Sequence, residues 1–176
     1  MNIHATPHHA KEEPRIEDQP LVCGAGRFID DDIAPGQAHA CFVRSPHARA
    51  RILSIDTEAA KEAPGVLAVL TGADIKAAGI GSASRPVPME GRGGSKLIAP
   101  FRPVLADERV MHVGDCVALV VAENRLAALD AAELVAVDYE ALEPVVDLET
   151  AAKPDAPQIW PEAPGNVVFD WALPAD

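Results

Sequence analysis

The sequence predicts an α+β domain in which a mixed β-sheet is packed with short helices and interrupted by a long Gly/Pro-rich loop. Three observations carry this expectation. Cys116 to Ala122 is apolar at every position, which reads as a strand covered on both faces. An alanine- and leucine-rich stretch from Arg125 to Leu134 follows, with Asp130 and Glu133 left for solvent, the pattern of a helix lying close on a sheet. Between Gly79 and Pro103 the chain is rich in Gly, Pro, Ser and Arg and has no sustained apolar period.

The elements follow in order. Residues 1–14 place His4, His8 and His9 among Pro and Glu without periodicity, and read as a disordered leader that binds metal only adventitiously. From Arg15 the character changes: Leu21-Val22-Cys23-Gly24-Ala25-Gly26-Arg27-Phe28 is a short apolar segment broken by two glycines ahead of a turn at Asp30 to Asp32. The Gly24-x-Gly26 pair lacks a third glycine and a surrounding strand-turn-helix unit, so it reads as a turn and not as a nucleotide site. Ala38 to Arg44 and Arg51 to Asp56 read as strands joined through Ser45-Pro46-His47-Ala48-Arg49, a hairpin with a longer loop. Thr57 is placed to cap a short helix with Glu58 near its positive end, and Pro64-Gly65 stops it before the strand Val66 to Leu70. Thr71-Gly72-Ala73-Asp74 opens another helical turn.

The long loop needs an explanation, because such loops inside a compact domain are functional covers or disordered segments. Gly91-Arg92-Gly93-Gly94-Ser95-Lys96 does not satisfy the order of a phosphate loop and no helix follows it. Arg85, Arg92, Lys96 and Arg102 give the loop a positive balance, which fits either docking to an acidic neighbour or a free loop. Beyond it, Val110 to Val113 reads as a strand, Asn124 as the N-cap of the helix, and Val135 to Tyr139 as a strand on the helix's far side.

Composition excludes several function classes. Asp plus Glu number 27 against 15 for Lys plus Arg, a net charge of −12 that repels a phosphate backbone, so nucleic acid is not an expected partner. The acidic residues are dispersed and serve to solvate the surface. Aromatic residues make up 4% of a chain that is 48% hydrophobic, so the core must be built from Ala, Val, Leu and Ile. Cys23, Cys41 and Cys116 are too few and too scattered for an iron-sulfur cluster, which takes about four thiolates, or for a zinc site. His39, His47 and His112 form no ligand pattern and read as packing residues. Residues 1–20 hold no apolar stretch for a secretory signal, and the run Cys116 to Ala122 falls far short of the roughly 20 residues of a membrane span. A cytoplasmic protein is expected.

The last segment is unusual. From Pro154 to Pro174 there are five prolines, which exclude a helix over most of it, yet both tryptophans, Trp160 and Trp171, fall there. Val167, Phe169 and Trp171 alternate with Val168, Asp170 and Ala172, the pattern of a strand with one buried face, for which another chain or further polypeptide would supply the sheet edge.

One family resemblance emerges from the order of motifs. These are Arg15-Ile16-Glu17-Asp18 with Leu21 to Asp31, Val43-Arg44-Ser45-Pro46-His47-Ala48-Arg49-Ala50-Arg51-Ile52, Ala63-Pro64-Gly65-Val66, and Thr71-Gly72-Ala73-Asp74. Val113-Gly114-Asp115-Cys116-Val117-Ala118 and Ala128 to Glu133 leading to Val137-Asp138-Tyr139-Glu140 complete them. Over roughly Arg15 to Trp171 the chain resembles the alpha/beta hammerhead domain that opens the large subunit of xanthine dehydrogenases, aldehyde oxidases and bacterial carbon monoxide dehydrogenases. Cys116 stands where that pattern commonly has proline. The resemblance implies a leader at 1–14, a hammerhead domain at 15–153, and a Pro-rich extended tail at 154–176 leading to a partner chain or to a molybdenum-binding domain. It implies hydroxylation of a carbon centre (aldehyde, purine or N-heterocycle class) with water as oxygen source, at molybdenum held by molybdopterin, with iron-sulfur clusters and FAD carrying electrons. Implied partners are a molybdenum-binding chain or domain, an iron-sulfur subunit and a flavin subunit.

In such enzymes the pterin contacts and the activating glutamate lie beyond this domain. The chain is therefore expected to hold no catalytic, cofactor-binding or metal-binding residue, and neither Glu140 nor Glu143 is carried over as a base. Whether it is a natural split subunit or an excised piece stays open. The alternative is a stand-alone binding module of hammerhead fold with no redox role. A biotinyl or lipoyl carrier is disfavoured because none of Met1, Met89 and Met111 adjoins a lysine.

Overall fold

The computed structural model describes residues 15–82 and 89–172. The expected leader with His4, His8 and His9, and also Arg85 and the last four residues of the tail, lie outside them. The chain forms two compact units, Met1–Gln37 and Ala38–Asp176.

The first unit, over its described residues, is a short helix α1 (Asp18–Val22) followed by turns. Gly24 takes φ +69, as the turn reading requires, and the Asp30 to Asp32 turn is a 3-10 turn at Ile29–Asp31 in which the Phe28 N–H donates to Asp31 Oδ2 at 2.8 Å. Arg27 pairs with Asp32.

The second unit is organised by one strand. An apolar run can be covered on both faces only at the centre of a sheet, and β5 (Cys116–Ala122) takes that place, with Val117, Ala118, Val120 and Ala122 buried. Its neighbours are β1 (His39–Arg44) and β3 (Val66–Thr71), both antiparallel, with Leu119 opposite Phe42 on one side and Leu70 on the other. A second three-stranded antiparallel sheet has β2 (Ala50–Asp56) between β4 (Arg109–Val110) and β6 (Ala136–Ala141). Short helices complete the unit: α2 (Glu58–Lys61), α3 (Gly72–Ala77), α4 (Arg125–Glu133) and α5 (Leu148–Ala151).

The fold is the expected α+β class, but four local expectations need correction. β1 and β2 are not a hairpin: they lie in different sheets, and Ser45 to Arg49 carries the chain from one to the other. Buried Ser45 anchors that crossing, its N–H donating to Asp115 O at 2.9 Å while its carbonyl accepts from the Gly114 N–H at 2.8 Å. β1 pairs instead with β5, far away in sequence, whose Val117, Ala118, Val120 and Ala122 are buried. Strand β6 follows α4 but joins β2, not the sheet under the helix. Of the expected Val110–Val113 strand only Val110 pairs, together with Arg109 before it, because the chain turns at His112 to Gly114. At α2 Thr57 holds the N-cap position but is buried and its side chain makes no capping hydrogen bond; Asp56 Oδ1 accepts from the Glu58 N–H at 3.0 Å instead.

Two cores result. Ala60, Val69, Ala118, Val120, Ala131 and Val135 fill the space between the first sheet and helices α2 and α4. Ala50, Ala106, Val110 and Val117 form the second, and Val43 and Val137 pack against both. Alanines 128 and 131 on the buried side of α4 permit the close approach to the sheet that the sequence led us to expect. Asn124 caps this helix, its Oδ1 accepting from the Ala127 N–H at 2.9 Å. Replacing Asn124 by alanine should lower stability by about 1 kcal/mol, read as a shift in the urea midpoint with unchanged slope.

Among the described residues no helix is long and apolar enough to cross a membrane.

Candidate functional site

The second unit has a groove of about 930 Å³. Helix α3 forms one wall. Its first residue, Gly72, lies so close to the backbone of Ala106 and Asp107 that a Cβ there would meet Ala106 O at 2.7 Å, so the helix packs on the segment that carries Leu105. The helix start is held by Asp74, whose Oδ2 accepts from the Thr71 N–H at 2.7 Å and from the Thr71 hydroxyl at 2.8 Å. Those hydrogen bonds, the hydroxyl's first, hold the Asp74 carboxyl below its ordinary pKa.

Ile75, Leu105, Met111, Phe101 and Trp160 give the groove an apolar lining, and Arg102, Arg109, Glu108 and Glu162 surround it with both signs of charge. Lys76 and Asp107, both lining it, pair at 3.4 Å. Such a surface has no net field to select an anion or a cation, and suits contact with a polypeptide or a largely apolar group better than ion capture. His112 Nδ1 lies 3.7 Å from Asp115 Oδ2, but that carboxylate already accepts from the Met111 N–H at 2.9 Å and ties the turn together.

The opposite wall, Ile159 to Glu162, belongs to the Pro-rich tail. Asn166, at φ +58, is the hub of the tail: its amide donates to Ala151 O at 2.8 Å and Pro157 O at 3.0 Å, and its Oδ1 accepts from the Ile159 N–H at 2.8 Å. Arg49 fastens the tail to the body, donating to Glu143 O at 3.0 Å and Gln158 O at 2.8 Å. The expected strand at Val167 to Trp171 does not form. Its carbonyls meet the long loop instead, Val168 O accepting from the Ile98 N–H and Asp170 O from the Arg92 N–H, both at 2.9 Å. Phe169 is half-buried, while Trp171 remains 57% exposed. Sequence reasoning passed over Asn166 and Arg49. The available signal was Gly165-Asn166, two residues tolerant of positive φ placed side by side in a segment that cannot be helical.

The residues singled out in the sequence do not converge. Cys23 is exposed; Cys41 and Cys116 lie on adjacent strands as free thiols, with Arg44 donating to Cys116 Sγ at 3.2 Å. His47 packs against Tyr139 at 4.9 Å between ring centroids. Burial raises the Tyr139 pKa, a hydrogen bond with Ser45 opposes this, and the Asp115 carboxylate adds to it. Glu140 pairs with Arg51. Of the loop's cations, Arg92 is taken by Asp170 at 3.6 Å and Arg102 borders the groove. Among the described residues no three His, Cys, Asp or Glu side chains gather to hold a metal.

Comparison with known proteins places this geometry. Residues 23–143 match the family described as aldehyde oxidase and xanthine dehydrogenase, a/b hammerhead domain. The chain belongs to this family. The hammerhead chain is 46% identical over 143 residues to the carbon monoxide dehydrogenase large chain of Afipia carboxidovorans, covering 81% of itself and 16% of that relative. To the nicotine 6-hydroxylase large subunit of Paenarthrobacter nicotinovorans it is 47% identical over 139 residues, 78% of itself and 16% of the relative. The solved structure of quinoline 2-oxidoreductase from Pseudomonas putida 86 superposes with a TM-score of 0.71 at 39% identity, over 81% of the hammerhead chain and 17% of that chain. The hammerhead chain thus spans about one sixth of the length of the relatives it matches.

Proposed function

We propose that this hammerhead chain is a structural and assembly component of a molybdenum-containing hydroxylase, with the catalytic centre in another chain or domain. The enzyme so assembled would oxidise a carbon centre of the aldehyde, purine or N-heterocycle class, taking oxygen from water. The observation that carries this reading is the family match over 23–143, in a chain spanning only 16% of the large subunits it resembles. A supporting one is chemical. The cysteines of the described residues, Cys23, Cys41 and Cys116, are free and do not make up the set of about four thiolates that an iron-sulfur cluster takes.

On this reading the partners are a molybdenum-binding chain or domain carrying molybdopterin, an iron-sulfur subunit and a flavin subunit with FAD, in the cytoplasm. The division proposed is a hammerhead domain over 15–153 and a tail over 154–176 that leads toward the molybdenum-binding part. Exposed Ile16, Phe28, Ile29, Leu148 and Trp171 support it, because apolar side chains at such exposure gain most from a neighbouring surface.

Isolation from the native host tests the proposal. Co-purification with near-stoichiometric molybdenum and with iron-containing polypeptides is expected. The second reading, a stand-alone binding module, is favoured by the groove and would appear as a metal-free protein without those companions. Molybdenum-dependent turnover by residues 1–176 alone would overturn the assignment of catalysis elsewhere.

A further inference from the structure

We propose that loop residues 90–98 and tail residues 157–170 form one cooperative unit, a clasp in which each segment is ordered only while the other is in place. Each has few backbone hydrogen bonds of its own, although Arg49 and buried Ala163 tie the tail to the body. The loop holds itself only by a local turn: Gly91 N–H to Ser95 O at 2.8 Å, a bridge between Glu90 and Lys96, and a 3-10 turn at Arg92–Gly94 with no buried residue. The tail is rich in proline, which donates no backbone hydrogen bond, and it depends on the Asn166 side chain and on Arg49 for its shape.

What each lacks, the other supplies. The Arg92 and Ile98 N–H groups donate to the tail carbonyls of Asp170 and Val168, and the Arg92 guanidinium pairs with the Asp170 carboxylate. The two backbones approach so closely that a Cβ at Gly91 would lie 2.2 Å from Asp170 O and 3.2 Å from the Phe169 ring. Only glycine permits that contact. The long loop, which asked for an explanation at the level of sequence, is thus a receptor for the chain's own tail, whose residues Ile159 to Glu162 line the groove. Units with few buried contacts of their own open together and apart from the global fold.

Residue-resolved amide exchange on the 1–176 chain tests this in wild type, Gly91→Val and Asn166→Ala. Gly91→Val should speed exchange about ten-fold or more at Ile159 and Asn166 as well as at Arg92 and Ile98, the loss of a few cooperative hydrogen bonds. Asn166→Ala should do the same at Arg92 and Ile98, to which Asn166 makes no bond, while amides 117–121 of β5 keep their protection. The proposal is overturned if each variant affects only its own segment, if β5 opens along with the clasp in both variants, or if Arg92 and Ile98 are unprotected in the wild type.

Discussion

Truncating Leu105 to alanine will destabilise the protein by about 3 kcal/mol, within the range of roughly 2–5 kcal/mol typical of a buried leucine. Leu105 is 1% exposed and, with Val110, Val117 and Val120, is one of the largest fully buried side chains. Its chain neighbour Ala106, also buried, is too short to fill the void that the truncation leaves. Leu105 also lines the groove, so its loss enlarges that concavity. Urea unfolding followed by tryptophan emission measures the change, since Trp160 lines the same groove. A loss below about 1 kcal/mol would mean that the 101–109 segment settles into the groove and refills the space.

Substituting Gly72 by alanine will also destabilise the protein, by about 2–3 kcal/mol, although helix propensity alone favours alanine over glycine by up to ~1 kcal/mol. Packing decides the sign. A Cβ at Gly72 would lie 2.7 Å from Ala106 O and 2.8 Å from Asp107 Cα, and backbone atoms cannot rotate out of the way. Gly81→Ala is the control, because a Cβ there meets nothing within 4 Å. The expected result is a lowered urea midpoint for Gly72→Ala and none for Gly81→Ala; equal midpoints would show that α3 does not seat on the 105–107 segment. Because Gly72 and Leu105 share that segment, the double variant should lose less than the sum of the two.

Much of the fold was legible from residues in isolation. β5 announced itself by an unbroken apolar run, α4 by Asn124 and its alanines, and α3 by Thr71 and Asp74. Each depends on a local rule that needs no partner: periodicity, a cap, a breaker. The groove was not legible. Its walls come from α3, residues 101–115 and the tail, and no periodicity links segments separated by so much chain. The clasp escaped notice for a related reason. Glycines 91, 93 and 94 signal a tight turn, but nothing in them says that Asp170 will lie against it.

By itself the sequence determined the family, the α+β class and the identities of most strands and helices, because these follow from composition, spacing and short-range chemistry. Tertiary structure alone decided which strands pair, sending β1 to β5 and β2 to β6, and where the Pro-rich tail goes. Pairing and docking are settled by competition for buried surface and unfilled backbone hydrogen bonds across the whole chain, and that competition has no local signature.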